Sequence, residues 1–300
     1  MDGLVRFSFY AFAASSMAII AAAIAYVVFG VGRVRVLRQT LATSTGHTVT
    51  SSQLHQEAGP IGFARWGLML TWFGMFFAGV AIVTRWIAAG HFPISNMYEY
   101  SLVFLFSITL MYIVFERAYG VRQLGAIVMP IAAGMTLYIW SLDPNMREVN
   151  PLIPALQAGW IMPFHVGSFN LAYATFAVAF AAAILFLVAE RTNAKWLPSA
   201  EMLDDVAFRA VSVGFPLFTL GLILGSVWAH DAWGVYWQWD PKETAALFTW
   251  LVYGVYLHTR TLRGWRGRRS AYVLLFGFAA TAFTYYGNYF FGGLHAYGGV

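Results

Sequence analysis

Cysteine is absent from the 300-residue chain, and charge is scarce: Asp, Glu, Lys and Arg together make up only 10% of it. The first absence excludes disulfides and any thiol chemistry supplied by the protein itself. The second excludes an ordinary soluble domain, in which about 25% of residues are charged. A cleavable signal peptide is not evident, because the first apolar run, Gly3 to Gly32, is too long and no basic segment precedes it. No stretch alternates apolar and polar residues as a barrel strand does, no internal repeat of fixed period shows, and no room is left for a second soluble domain. The net charge of +5 calls for no nucleic-acid partner, since it resides in short basic loops.

What is present is apolar. Hydrophobic residues make up 60% of the chain and aromatic ones 18%. A spanning helix needs roughly 20 mostly apolar residues, and eight runs qualify as candidates: 7–32, 66–89, 98–115, 123–142, 166–189, 208–230, 244–259 and 270–293. The third and seventh are short, and Pro216 is expected to kink the sixth. Open sheet cannot cross lipid with unpaired backbone groups. The expected fold is therefore an all-α integral membrane protein, a single bundle of about eight transmembrane helices.

Lys and Arg set the expected orientation. Fourteen of the eighteen (Arg33, Arg35, Arg38, Arg65, Arg117, Arg122, Arg191, Lys195, Arg209, Arg260, Arg263, Arg266, Arg268 and Arg269) belong to one set of alternating loops. Arg6, Arg85, Arg147 and Lys242 fall on the other side. Both termini are thus expected outside, with external connections at 90–97, 143–165 and 231–243. The Ser- and Thr-rich stretch 40–59, within the connection 33–65, reads as a flexible cytoplasmic linker. Ser199 to Arg209 reads as a short helix, capped by Ser199, that feeds the sixth span.

The densest polar and aromatic cluster is "WGVYWQWDPKE", Trp233 to Glu243. Asp240-Pro241-Lys242-Glu243 is a good helix start, with Asp as N-cap, Pro first and Glu reaching back. Tryptophans before a span also suit an interfacial belt. Trp233, Trp237 and Trp239, with Trp228 nearby, exceed what anchoring one helix requires, and Gly234 permits close backbone approach. Such a surface suits a flat aromatic ligand with a polar edge.

Seven histidines sharpen that reading. His165 and His295 stand at the external ends of the fifth and eighth spans, at the depth of the cluster. Each alone is an ordinary interfacial residue; together they can supply both axial nitrogens to one haem iron. His258, near the inner end of the seventh span, is a functional candidate because it is ionisable within a span. His47 and His55 fall in the linker. His91 and His230 are external supporting candidates, and Asn96 and Glu99 are expected to cap the third span.

Taken together, "WGVYWQWDPKE", "MPFHVGSFNLAYATF", "FPISNMYEY", "LVYGVYLHTR" and "GGLHAYG" resemble the WWD family of haem-handling proteins of cytochrome c maturation, most closely its CcsA (ResC) branch of System II. The resemblance implies a bacterial cytoplasmic or thylakoid membrane protein. It would carry haem b to the external face and present it to the CxxCH cysteines of an apocytochrome c. It implies His165 and His295 as external axial ligands and His258 as part of an intramembrane site. It further implies a haem platform of Trp233, Gly234, Trp237, Trp239, Asp240, Pro241 and Glu243, with Trp228, His230, Asn96 and Glu99 as neighbours that support it. Arg85, Arg147 and Lys242 are the external cations available to haem propionates. The implied partners are a CcsB (ResB)-type membrane protein, which would supply the second intramembrane histidine, the apocytochrome and thiol-reducing proteins. The implied activity is that of a holocytochrome c synthase component acting by positioning. A haem chaperone or exporter needs the same residues. A secondary transporter fits less well, because its unusual residues would sit at mid-bilayer.

Overall fold

The computed structural model describes residues 2–43, 51–157, 160–192, 197–287 and 292–295. His47 and Lys195 lie outside the described residues, as do the side chains of His55, Arg33, Arg35 and Arg38. Among the described residues there is no strand. The helices are α1 (Asp2–Thr43), α2 (Ser51–Ala89), α3 (Met97–Tyr119), α4 (Gly125–Ser141), the single turn α5 (Pro154–Gln157), α6 (Met162–Thr192), α7 (Ala200–Trp233), α8 (Pro241–Leu262) and α9 (Arg268–Tyr286).

The larger part of each of the eight apolar runs lies on one helix. Six of these helices, α1 to α4, α6 and α7, are long and apolar enough to cross a membrane on their own composition, which makes the chain a multi-pass membrane protein. The runs on α8 and α9 are diluted by Lys242, Glu243, His258 and Arg260, and by Arg268, Arg269 and several Thr and Tyr residues. They join the bundle through contacts of α8 with α7 and α9, and of α9 with α6.

Five boundaries differ most from expectation. Helix α1 continues to Thr43 because neither Gly nor Pro follows Arg33 to stop it, and α2 is already helical at Ser51. Much of the stretch expected to be a linker is therefore helical. The segment from Ser199 merges with the sixth span into one helix that continues through Pro216, with Ser199 Oγ accepting the Met202 N–H at 3.2 Å. The end of α7 runs on to Trp233 rather than stopping at 230. The last helix stops at Tyr286, short of the expected 293.

Outward faces carry large apolar side chains such as Met17, Phe73 and Phe76, as helices in lipid require. Inside, small residues allow close approach. On α2, a side chain at Gly67 or Gly74 would collide with Tyr26 or Ile19 of α1. The same two helices are tied by Ser8 Oγ–H to Ala81 O (2.8 Å) and Ser15 Oγ–H to Gly74 O (2.7 Å). Helix α6 is the hub, with Ala172, Ala177, Ala181 and Ala182 fully buried. It packs on α3, α7 and α9.

Candidate functional site

The first turn of α6 carries His165. Three rings of α6, His165, Phe169 and Phe176, dock on three glycines of α7: Gly225, Gly221 and Gly214. A Cβ on Gly225 would overlap the imidazole itself, so the glycine creates the space in which the ring sits. The His165 Nδ1–H donates to Gly221 O at 2.8 Å, which sets the tautomer with the lone pair on Nε2. The Trp228 ring lies parallel to it at 6.0 Å and 14°. Trp228 is 1% exposed, and its Nε1–H donates to Ala155 O at 3.1 Å.

The second histidine arrives from the other end of the chain. Residues 292–295 return to the N-terminus of α8, where Asp240 receives them. Asp240 Oδ1 accepts the Leu294 N–H at 2.7 Å, and Oδ2 accepts His295 Nδ1–H at 2.8 Å. Oδ2 also takes the Lys242 N–H at 3.0 Å, so the same carboxylate caps α8. Glu243 Oε2 closes the capping box by accepting the N–H groups of Asp240 and Gln238, at 3.1 and 3.0 Å. Gly293 has φ +152° and lies so close to Asp240 that any side chain there would strike the carboxylate. The cap expected of Asp240 and Glu243 is present, and Asp240 in addition holds His295.

Burial pushes the His295 imidazole below its ordinary value, partly countered by the Asp240 hydrogen bond. For Asp240, burial alone would raise the carboxyl. The hydrogen bond from His295 and the backbone N–H groups outweigh it and hold the group below the usual carboxylate range. The pair is therefore a neutral imidazole donating to an ionised carboxylate, with the His295 lone pair on Nε2, the same tautomer as at His165.

Both histidines line one open cavity at the end of the bundle where α3, α6 and α8 begin and α7 ends; its empty space, open solvent included, is about 980 Å³. Its walls are mostly apolar (Ile94, Leu156, Val166, Phe169, Leu222 and Ala246), and Tyr100 and Tyr173 add to them. Polar groups are few: Ser95, Asn96, Ser226, Lys242, Glu243 and Thr284. Among the described residues no cluster of three or more His, Cys, Asp or Glu stands ready to hold a bare metal ion. Two imidazoles on one mostly apolar cavity suit an ion that brings its own equatorial ligands.

The tryptophans do not form one flat shelf. Trp237 lines the cavity. Trp239 is 67% exposed and meets Trp237 at 5.7 Å and 90°. Trp233 packs edge-on against Trp228 (4.7 Å) and His295 (5.0 Å). Edge-to-face pairing is the favourable arrangement for such rings. Gly234 also differs from expectation: nothing lies within 4 Å of a Cβ there. Its φ of +81° makes it the left-handed C-cap of α7, with its N–H on His230 O at 2.8 Å. Pro241 opens α8 as the first helical residue.

The supporting residues divide. Asn96 caps α3, accepting the Glu99 N–H at 3.1 Å, and lines the cavity. Glu99 is fully buried outside the cavity lining, with Oε1 paired to Arg85 Nε at 2.6 Å and Oε2 on Ser95. Arg85 is 1% exposed and donates further to the carbonyls of Arg147 (2.7 Å) and Glu148 (2.8 Å). Arg147 sits over the Phe9 and Trp140 rings. Of the three cations Arg85, Arg147 and Lys242, only Lys242 reaches the cavity, its Nζ 5.7 Å from the Tyr100 ring centre. His230 is exposed and stacks on Tyr236 at 4.4 Å, and His91 bonds to Phe92 O at 3.1 Å. Neither lines the cavity. His258 is exposed on α8, about 25 Å along the helix from Pro241.

Gly221 and Gly225 are the site residues that sequence reading missed. Their signal was a Gly-x₃-Gly spacing with Gly214 seven residues upstream, the pattern by which helices approach closely.

A model of the cytochrome c assembly protein family matches residues 94–295. Curated relatives carry the name cytochrome c biogenesis protein CcsA. The Chlamydomonas reinhardtii protein is 40% identical over 227 residues, covering 72% of this chain and 64% of the relative. That of Guillardia theta is 40% identical over 245 residues, covering 73% and 81%. The Synechococcus elongatus protein is 37% identical over 266 residues, covering 71% and 81%. The fold is similar to that of the cytochrome c haem lyase CcmF, with a TM-score of 0.65 at 16% identity over 94% of this chain and 46% of that one. The matched region begins at Ile94, in the cavity wall, and ends on His295, and the chain belongs to the cytochrome c assembly protein family.

Proposed function

We propose that the cavity takes haem b between His165 and His295 on the external face of the membrane and presents it to an apocytochrome c. One observation carries this reading. Two histidines from distant parts of the chain share one cavity, each with its Nδ1–H already donated and its lone pair on Nε2. Trp237 supplies an aromatic wall, Trp239 an exposed ring at the rim, and Lys242 the cation for a propionate.

The chemistry asked of the protein is positioning. Each cysteine of the acceptor's CxxCH segment adds across a haem vinyl group, its sulfur bonding to one vinyl carbon and its proton going to the other. No net oxidation occurs, and no side chain of this protein is consumed. Thiol-reducing proteins keep the acceptor cysteines in the form that reacts. His258, exposed on α8, belongs in this scheme to an inner haem site completed by a histidine of a CcsB-type partner.

The test is an absorption spectrum of the protein purified with its membrane partner. A haem Soret band is expected, shifted or diminished in both His165→Ala and His295→Ala. Unchanged spectra in both variants remove the axial assignment. The rival, a haem chaperone that attaches nothing, uses the same ligands. Co-expression with the partner and an apocytochrome separates the two, since only a synthase leaves solvent-resistant haem on the cytochrome.

A further inference from the structure

We propose that His165 and His295 are unequal axial ligands, and that His165 is the one that leaves the iron when haem passes to its acceptor. This rests on the haem-binding reading above. The two imidazoles share a tautomer, so what distinguishes them is the group that accepts each Nδ1–H. For His295 it is the Asp240 carboxylate, at 2.8 Å, fixed in place by the N–H groups of Leu294 and Lys242. For His165 it is the neutral carbonyl of Gly221, at 2.8 Å, which as a helical carbonyl also receives the N–H four residues on. A full negative charge behind an imidazole draws its N–H proton and pushes electron density onto the other nitrogen. His295 is therefore the stronger donor to iron.

Packing points the same way. The His165 ring is wedged between Gly225 and the Trp228 face, with Phe169 edge-on at 5.1 Å. It cannot follow an iron that moves toward an acceptor. His295 stands outside any helix, attached through Asp240. In the exchange the bond from iron to His165 Nε2 breaks and one to the acceptor's imidazole forms. Both ligands are neutral, so no proton or electron moves. Asp240 is thus a positioning residue that decides which face of the haem is handed over.

The experiment uses the haem-loaded protein with its partner, reduced and exposed to carbon monoxide, which replaces the weaker axial ligand. The wild-type adduct is expected to share its Fe–CO vibrational signature with His165→Ala, because both keep His295 opposite the carbon monoxide. Asp240→Asn should shift that signature and lower haem retention about 10- to 100-fold. Asparagine still caps a helix, so unchanged helix content in this variant excludes loss of the cap as the cause. A wild-type adduct that instead matches His295→Ala and ignores Asp240→Asn overturns the assignment. Spectra of bound haem that respond to neither histidine variant overturn the haem-binding reading itself, a different and recognisable result.

Discussion

At His165 the decisive neighbour is a residue without a side chain. Gly225 leaves the volume that the imidazole fills, and a methyl group there would overlap the ring. Gly225→Ala is accordingly expected to push His165 off its Gly221 hydrogen bond at an overpacking cost of about 1–3 kcal/mol. Haem spectroscopy should then show the His165→Ala phenotype although both histidines are present. Gly134→Ala is the control, since nothing lies within 4 Å of a Cβ at that helical position. A Gly225→Ala protein with wild-type spectrum and stability would show that the α6–α7 contact has more room than the structure gives it. Asp240 makes a related point. A sequence reading sees a helix cap there and can stop, because the cap alone explains the residue; the bond to His295 spans 55 positions.

Between α7 and α8 the connecting element holds a strained residue. Trp239 has φ +61°, the left-handed region, and is the sole non-glycine with positive φ among the described residues. Such a backbone costs a bulky residue on the order of 1–3 kcal/mol, yet the ring it displays is mostly exposed. Burial therefore does not repay the strain, and under the proposed function the exposed ring, beside Trp237 of the cavity wall, is there to meet the haem. Trp239→Asn, which tolerates this conformation, is expected to raise thermal stability by about 1 kcal/mol while lowering haem retention. A melting temperature that falls, with haem occupancy unchanged, would assign the ring a purely structural role. The signature was legible in the sequence as an aromatic cluster before a helix. That its rings stand edge-on, and that Gly234 serves the helix end, depended on dihedral angles that composition does not encode.

Across the whole molecule, the cavity end is braced by the buried Arg85–Glu99 pair, which joins α2, the start of α3 and the segment at 147–148. Removing one partner leaves an uncompensated charge and is expected to cost about 3–5 kcal/mol. Arg85→Met should therefore lower the yield of folded protein, and the Arg85→Met, Glu99→Met double variant should recover much of it. Stability of all three variants, measured as a double-mutant cycle, checks this. Recovery of folding together with normal haem occupancy would place Arg85 outside propionate binding, as its burial implies; a haem deficit that persists in the stable double variant would return it to the site.

Hydropathy was enough to find the helices, because the cost of placing a backbone in lipid is met locally, within each run of about 20 residues. The same local reading put His165 and His295 near helix ends and the Asp240 cap before α8. It overran α9 and assigned a linker to helical residues, since no apolar signal marks where a helix stops beyond the bilayer. Tertiary structure alone decided which nitrogen each histidine retains, that Lys242 rather than Arg85 or Arg147 reaches the cavity, and that one carboxylate serves both a cap and a histidine. The tautomers and the shared carboxylate rest on hydrogen bonds between groups 55 and 56 positions apart, and the place of Lys242 rests on the cavity that α3, α6 and α8 enclose together. Contacts at that separation are set by how the helices pack, which no local stretch of sequence contains.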